Sequence, residues 1–555
     1  MASRIVPFLI FGVLNFGGLA IGSMATGPGV SSDWYAGLAK APWTPPGWVF
    51  GAAWTTVMLG FTWFMTSTWS RTESAADRKH QSLWFGLAWV LNVAWNPLFF
   101  GLQATAWALV EIVALYAVIA LMARNNWHSA GAGRWGIAPY LLWLGIATSL
   151  NAYVVWANGP QDHAPAASAS ESWPESDWDE AWKVLDGAIE WAVDEGQIPG
   201  AVLLIRRNGE VAVHEAYGAA DPMTGRPMQR DALFRICSQS KAITATAAMV
   251  LWERGQLDLD APVAQYLPEF EGIGVLDSLF ADTTFVTRPT TQPMTVRHLM
   301  THTCGISYGE IGDPRFEALY DKHDIVDLFP RDGRSTRENA RKIASTCLIH
   351  DPGNQWNYSL GMDVLVAVIE VASGRSYAAF LAEEVLAPLG MTDTHFAVPE
   401  EDADRLVMVS EPVPLVGGFK RHMHSRYAID YPLHPEWPFC GGGAGLTSTA
   451  EDYGRFLQCY LDRGRTEGGK ILEESTVDTV MADHAPGLLD GGWNQGLAFG
   501  VRNSGAAEGA FFWGGYFNTQ YFAHPASQTA VVLMKQTYGV NLDSTSKALD
   551  AMLWN

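Results

Sequence analysis

The sequence predicts two domains of unlike kind: a transmembrane bundle of five helices, all-α, and then a large α/β or α+β domain beyond a linker. Three observations predict this. Residues 1–160 hold seven Lys or Arg and four Asp or Glu while the rest hold 29 and 54, so a chain of net charge -22 is +3 in one part and -25 in the other. Fourteen of the 24 Trp lie before residue 157. Finally, Ile5–Ser32, Pro42–Ser70, His80–Val110 and Trp135–Pro160 contain no Asp, Glu, Lys or Arg, and about 20 apolar residues suffice for a helix to cross a bilayer.

Taken in order, the expected spans are about 5–26, 47–69, 81–101, 104–123 and 136–157. The third and fourth come from one apolar stretch, Gln81 to Ala123, which is too long for a single span and turns near Gly101–Thr105. A cleaved signal peptide is the other reading of the first run, but the run is long and four more spans follow it. With five spans the two ends lie on opposite sides. Arg4, Arg71, Arg78, Lys79, Arg124 and Arg134 then collect on one side and Lys40 alone on the other, which puts the N-terminus in the cytoplasm. Everything after residue 158 is expected outside, in the periplasm or extracellular space.

Asn158 to Asp177 is rich in Pro, Ala and Ser and has no periodicity, so residues 159–178 read as a linker. A helix begins near Asp177, with Trp182, Leu185, Ile189 and Val193 at helical spacing. Two strand-like runs then flank Asn208-Gly209, a hairpin signal. Helices and strands alternate irregularly to the end without repeats or a second linker, so residues 179–555 read as one domain.

Composition excludes several classes. The acidic balance argues against a nucleic-acid partner, because phosphate binding needs basic surface. Five Cys in 555 residues, none in a CxxC pair, are neither a disulfide scaffold nor a zinc ribbon; they read as free and buried.

The segment richest in chemistry is FRICSQSK, Phe234 to Lys241, followed at once by an apolar helical run. At a helix start, Ser238 and Lys241 share a face. The lysine can draw the seryl proton, and the helix N-terminus favours the anion. The spacing is weak alone, since Ser544-x-x-Lys547 repeats it. Gly305-Ile306-Ser307-Tyr308-Gly309 fits the GxSxG nucleophile elbow, but a helix-like segment precedes it and a helix-breaking one follows, the reverse of what that elbow needs. It reads as a loop.

Around Ser238 the blocks MTVRHLMTHTCGI (Met294–Ile306), Trp356–Gly361, LAPLGMTDTHF (Leu386–Phe396), GGGAGLTSTAEDYGRFL (Gly441–Leu457) and Trp513-Gly514-Gly515 follow in order. Together these blocks resemble the serine β-lactamase and penicillin-binding-protein superfamily over most of residues 180–555. The resemblance implies an antiparallel sheet flanked by helices. It makes Ser238 the nucleophile, gives Lys241 and Tyr358 the general-base and general-acid duty, and lets the amides of Ser238 and Tyr516 form an oxyanion hole without any metal. Two departures matter. Leu360 stands where the family has Asn, and Trp513-Gly514 where it has Lys-Thr. Both suit the site less to anionic amides, and the Trp-Gly-Gly run resembles the carboxylesterase and transacylase branch. The expectation is a membrane-anchored serine hydrolase acting on an ester or related acyl substrate. The alternatives are a receptor that acylates slowly and signals through the bundle, or β-lactamase or D-amino peptidase activity.

The first domain carries its own signature. Trp34-Tyr35, Lys40-Ala41-Pro42-Trp43-Thr44-Pro45-Pro46-Gly47-Trp48 and Trp54, then Leu91-Asn92 with Trp95, then Pro139-Tyr140 with Trp143 and Leu150-Asn151, resemble the TspO/MBR family of tryptophan-rich sensory proteins. The resemblance spans about residues 5–158. It implies a five-helix bundle that takes porphyrins, haem-like tetrapyrroles or other flat apolar ligands, is embedded in lipid, and often forms a homodimer. Trp34, Trp54, Asn92, Trp143 and Asn151 are the pocket candidates. Each also has a plainer reading, as an interface anchor or an interhelical hydrogen bond. Glu111, the only intramembrane carboxylate, is either functional or a group that reaches the headgroups.

Overall fold

The structure, a computed structural model, describes residues 2–555 other than 31–37, 39, 46, 73, 102–103, 128, 159–177, 281, 414–416, 425, 490, 541–542 and 555. Trp34 and nearly all of the expected linker lie outside the described residues. The chain divides into two compact units, Met1–Ser168 and Ala169–Asn555.

The first unit is all helix: α1 (Ala2–Val30), α2 (Gly47–Trp69), α3 (Ala75–Asn96), α4 (Thr105–Asn126) and α5 (Ala138–Asn158). Four stretches among the described residues, Val49–Trp69, Ala75–Phe100, Thr105–Asn126 and Gly131–Ala157, are long and apolar enough to cross a bilayer. Five were expected; in α1 the described apolar stretch, Ile5–Leu19, is shorter than a span. The third helix starts six residues before its apolar window. Ser74 caps it by accepting from the Asp77 amide, and the cap, not hydropathy, sets a helix start. At its other end α3 runs on through a π-turn at Pro97–Gly101, where proline has no amide to continue the ladder. Apolar side chains face both ways: Phe64, Ile119 and Leu144 are buried, while Leu83, Trp107, Val110 and Leu142 stay exposed, as a lipid solvent permits. α2 meets the turn before α5 backbone to backbone, since a Cβ on Gly60 would stand 2.4 Å from the Gly136 carbonyl oxygen.

In the second unit, eight antiparallel strands form the central sheet: β1 (Gly200–Arg207), β2 (Glu210–Asp221), β3 (Arg226–Pro227), β4 (Trp493–Gln495), β5 (Gly500–Arg502), β6 (Phe511–Gly514), β7 (Gln520–His524) and β8 (Thr529–Met534). Their order is β4-β5-β6-β7-β8-β1-β2-β3. β1 and β2 close on Asn208-Gly209, both at positive φ, as a two-residue turn demands. The unbroken apolar run of β1 is explained by burial on both faces. Leu203 and Ile205 pack under α6 (Trp178–Asp194), while Val202 and Leu204 join the larger core on the other side. That core contains α7 (Ser240–Glu253), α8 (Gly361–Ser373) and α9 (Ala450–Leu461); the last helix, α10 (Ser544–Trp554), joins α6 on the first face.

Candidate active site

The chain enters the site through Phe234-Arg235, paired to Thr447-Ser448, and a 3-10 turn at Cys237–Gln239 that leads into α7. Cys237 holds φ at 50° just before Ser238, a left-handed backbone that costs energy in a residue with a Cβ and often marks a functional site. Its thiol is buried, and burial pushes its pKa up to about 12, so it offers no thiolate beside the serine.

One turn on, the buried Lys241 has three neighbours. Its Nζ lies 3.1 Å from Ser238 Oγ, 3.1 Å from the Tyr308 hydroxyl and 2.7 Å from the Gly443 carbonyl oxygen. It also lies 4.7 Å from the ring centroid of Tyr358, a cation–π distance. The carbonyl can only accept. An amine that donates to it and to Tyr308 turns its remaining lone pair toward Ser238, which is the arrangement that draws a seryl proton. Gly443 is fixed in turn by Asp363 on α8, whose Oδ1 accepts from the Gly443 amide at 3.2 Å. Burial raises the Asp363 pKa to about 6.

The expected residues converge. Trp513 on β6 points its indole N–H at the Tyr358 hydroxyl, 3.4 Å away. Gly515 lies so close to the nucleophile turn that a Cβ there would stand 2.5 Å from the Ile236 carbonyl oxygen. The Tyr516 hydroxyl donates to Glu310. Gly514 ends β6, and Leu360 is fully buried at the N-cap of α8. Asn357 ties the Tyr358 loop down by donating to the carbonyls of Ile306 and Tyr358.

Tyr308, Asp363 and Gly443 were missed in the sequence, and so was His302. That histidine sits at φ 56°, fully buried, its ring 4.5 Å from Tyr358 and 6.2 Å from Trp513, with a pKa held well below the ordinary value by burial. Tyr308 lies inside the GxSxG motif that reads as a loop. The segment is indeed neither strand nor helix, and Ser307 is buried with its hydroxyl donating to the Tyr308 carbonyl. No spacing rule links residues 67 and 202 positions away from the lysine.

In the bundle, Trp54, Trp143 and Tyr140 meet edge-to-face, and Asn92 donates to the Tyr140 hydroxyl at 2.6 Å. Asn151 sits apart from these, accepting from Trp95 and donating to the Thr105 carbonyl. Among the described residues, the buried Trp143 N–H and both oxygens of Glu111 have no hydrogen-bond partner.

A buried Ser–Lys pair at a helix start, two tyrosines on the lysine and an antiparallel sheet along one side define a serine acyl-transfer enzyme of the penicillin-recognising fold. Comparison with known proteins carries this further. The Beta-lactamase family matches residues 185–551 and the TspO/MBR family residues 10–157, and the chain belongs to the beta-lactamase family. It is 33% identical to Esterase EstB of Burkholderia gladioli over 61% of this chain and 86% of that one. To the monacolin J acid methylbutanoyltransferase of Aspergillus terreus it is 27% identical, over 54% and 70%. Among solved structures, EstCE1, a hydrolase with promiscuous acyltransferase activity, superposes with a TM-score of 0.58 at 26% identity, covering 67% of this chain and 98% of that one. The second unit is thus a serine hydrolase related to esterases and acyltransferases.

Proposed function

We propose that this chain hydrolyses or transfers the acyl group of an ester on the outer side of a membrane, anchored by a five-span bundle that takes a tetrapyrrole or another flat apolar ligand. The reading is carried by one observation: Lys241 Nζ stands 3.1 Å from Ser238 Oγ, with a tryptophan at position 513 where the family resemblance has a carboxylate-binding lysine.

Ser238 Oγ attacks the acyl carbon and its proton passes to Lys241 Nζ. The carbonyl oxygen, now an anion, is met by the amides of Ser238 and Tyr516. The bond from the acyl carbon to the alcohol oxygen then breaks, and the proton leaves Lys241 for that oxygen, with the Tyr308 hydroxyl beside the lysine as relay. Water, or a second alcohol, gives its proton back along the same route and releases the acyl group from Ser238.

The test is activity profiling of the full chain on an ester series, a β-lactam and a D-alanyl peptide, with fluorophosphonate labelling of the serine. Turnover of esters, with labelling lost in Ser238→Ala, is expected; labelling that survives Ser238→Ala sinks the reading. For the bundle, Trp54, Trp143 and Asn92 support an aromatic ligand, six basic residues against one support the outward orientation, and the family resemblance supports a homodimer. A saturable shift of a porphyrin's absorption on titration with the solubilised chain is expected, and its absence counts against the ligand.

A further inference from the structure

The loop that delivers Tyr308 to the lysine delivers a carboxylate two residues later. Glu310 Oε1 accepts from the Tyr516 hydroxyl at 2.7 Å. Its Oε2 is buried and has no hydrogen-bond donor among the described residues. The Glu310 backbone is pinned, since the amides of Gly309 and Glu310 donate to the two carboxylate oxygens of Asp327 at 2.7 and 2.5 Å. The carboxylate thus meets the segment after Trp513-Gly514-Gly515, through the Tyr516 hydroxyl.

Glu310 has one ion-pair partner among the described residues. Its nearest basic group is His424 Nε2, 3.5 Å from Oε1, and burial holds that histidine below its ordinary pKa. Arg426, two residues on, is engaged by Glu317 and Asp321 at 3.0 and 2.6 Å. A largely buried carboxylate without a full cationic partner is costly unless a bound molecule supplies the positive charge. Where a Lys-Thr-Gly site has its lysine this chain has Trp513, and a glutamate accepts a hydrogen bond from the same segment.

We propose that Glu310 is a specificity residue, which selects esters carrying a cationic group, an ammonium on the acyl or the alcohol side, through its carboxylate. The proposal rests on the esterase reading above.

Two isosteric pairs test it with the full chain in detergent. One is butyrylcholine against 3,3-dimethylbutyl butyrate; the other is the phenyl ester of 4-(trimethylammonio)butanoate against that of 5,5-dimethylhexanoate. In at least one pair the cationic ester is expected to show kcat/KM about tenfold above its neutral isostere, the worth of one charge-assisted contact. Glu310→Gln is expected to bring that ratio near one while fluorophosphonate still labels Ser238, which shows that the site remains folded. Equal rates within both pairs in the wild type overturn the proposal and leave the esterase reading standing, as does a preference that survives Glu310→Gln. If no ester of any charge is turned over and Ser238 is not labelled, both fall together.

Discussion

Ser238 and Ser544 each begin a Ser-x-x-Lys run at the start of a helix, and the two regions use it differently. At Ser238 the lysine is buried and 3.1 Å from the hydroxyl. At Ser544 the hydroxyl donates to the Ala188 carbonyl, the amide donates to the Gln197 side-chain oxygen, and Lys547 is exposed. The second region has a buried lysine of its own, Lys535, completely enclosed with Asp543 at 2.9 Å and surrounded by Gln520, Thr545 and Ser546. Asp543 also caps the last helix by accepting the amides of Thr545 and Ser546. A lysine whose donors all meet a carboxylate and fixed acceptors serves to hold a chain end down. A lysine that meets two hydroxyls and one carbonyl can exchange protons. Partner chemistry, not spacing or burial, separates the two.

That contrast can be broken in stages. Ser238→Ala is expected to lower kcat/KM at least about 10³-fold, read by ester turnover with purified chain. Lys535→Met leaves Asp543 buried without its cation and is expected to cost about 3–5 kcal/mol of stability. An unchanged thermal midpoint would show that the enclosed pair does not hold the C-terminus. Tyr308→Phe keeps the ring but removes the hydroxyl at Lys241; a fall in kcat of about 10- to 100-fold with little change in KM is expected, and wild-type kcat would return the proton exchange to Tyr358 alone.

Asp363 supplies a pH signature. Its folded pKa is raised, so it is protonated below about pH 6 and charged above. The charged form favours the lysinium that forms as Ser238 is acylated. A fall in kcat/KM as pH drops through about 6 is therefore expected, and Asp363→Asn should flatten that limb; a limb unaltered in the variant assigns it to another group. The smallest effect belongs to the second Ser-x-x-Lys run: Ser544→Ala should leave ester turnover within about twofold.

Much of the molecule is legible in its residues. Apolar runs without charge mark the helices of the first unit, because a bilayer and a core both demand them. The Asn208-Gly209 turn marks its hairpin, since those residues accept positive φ. Ser238, Lys241, Tyr358 and the Trp513–Tyr516 segment are found because the family resemblance orders them along the chain. Tyr308, Asp363, Gly443 and Glu310 are not found, because each earns its role only by a contact across loops of uncounted length. The GxSxG frame even directed attention to Ser307, one residue from the side chain that touches the lysine.

The start of α3 shows the same limit locally: hydropathy places the apolar window, while a serine cap seven residues earlier decides where the helix begins. Sequence alone determined the two compositions, the apolar helices of the first, the family of the second and the Ser238–Lys241 pair. These follow from local spacing and from apolar content, which are properties of short segments. Only the tertiary structure decided that Tyr308 rather than Tyr358 presents its hydroxyl to Lys241, that Asp363 fixes the carbonyl beside it, and that Glu310 faces the segment where a lysine is missing. Those are contacts between segments far apart in the chain, and close packing of the core, not any repeat in the residues, sets their distances.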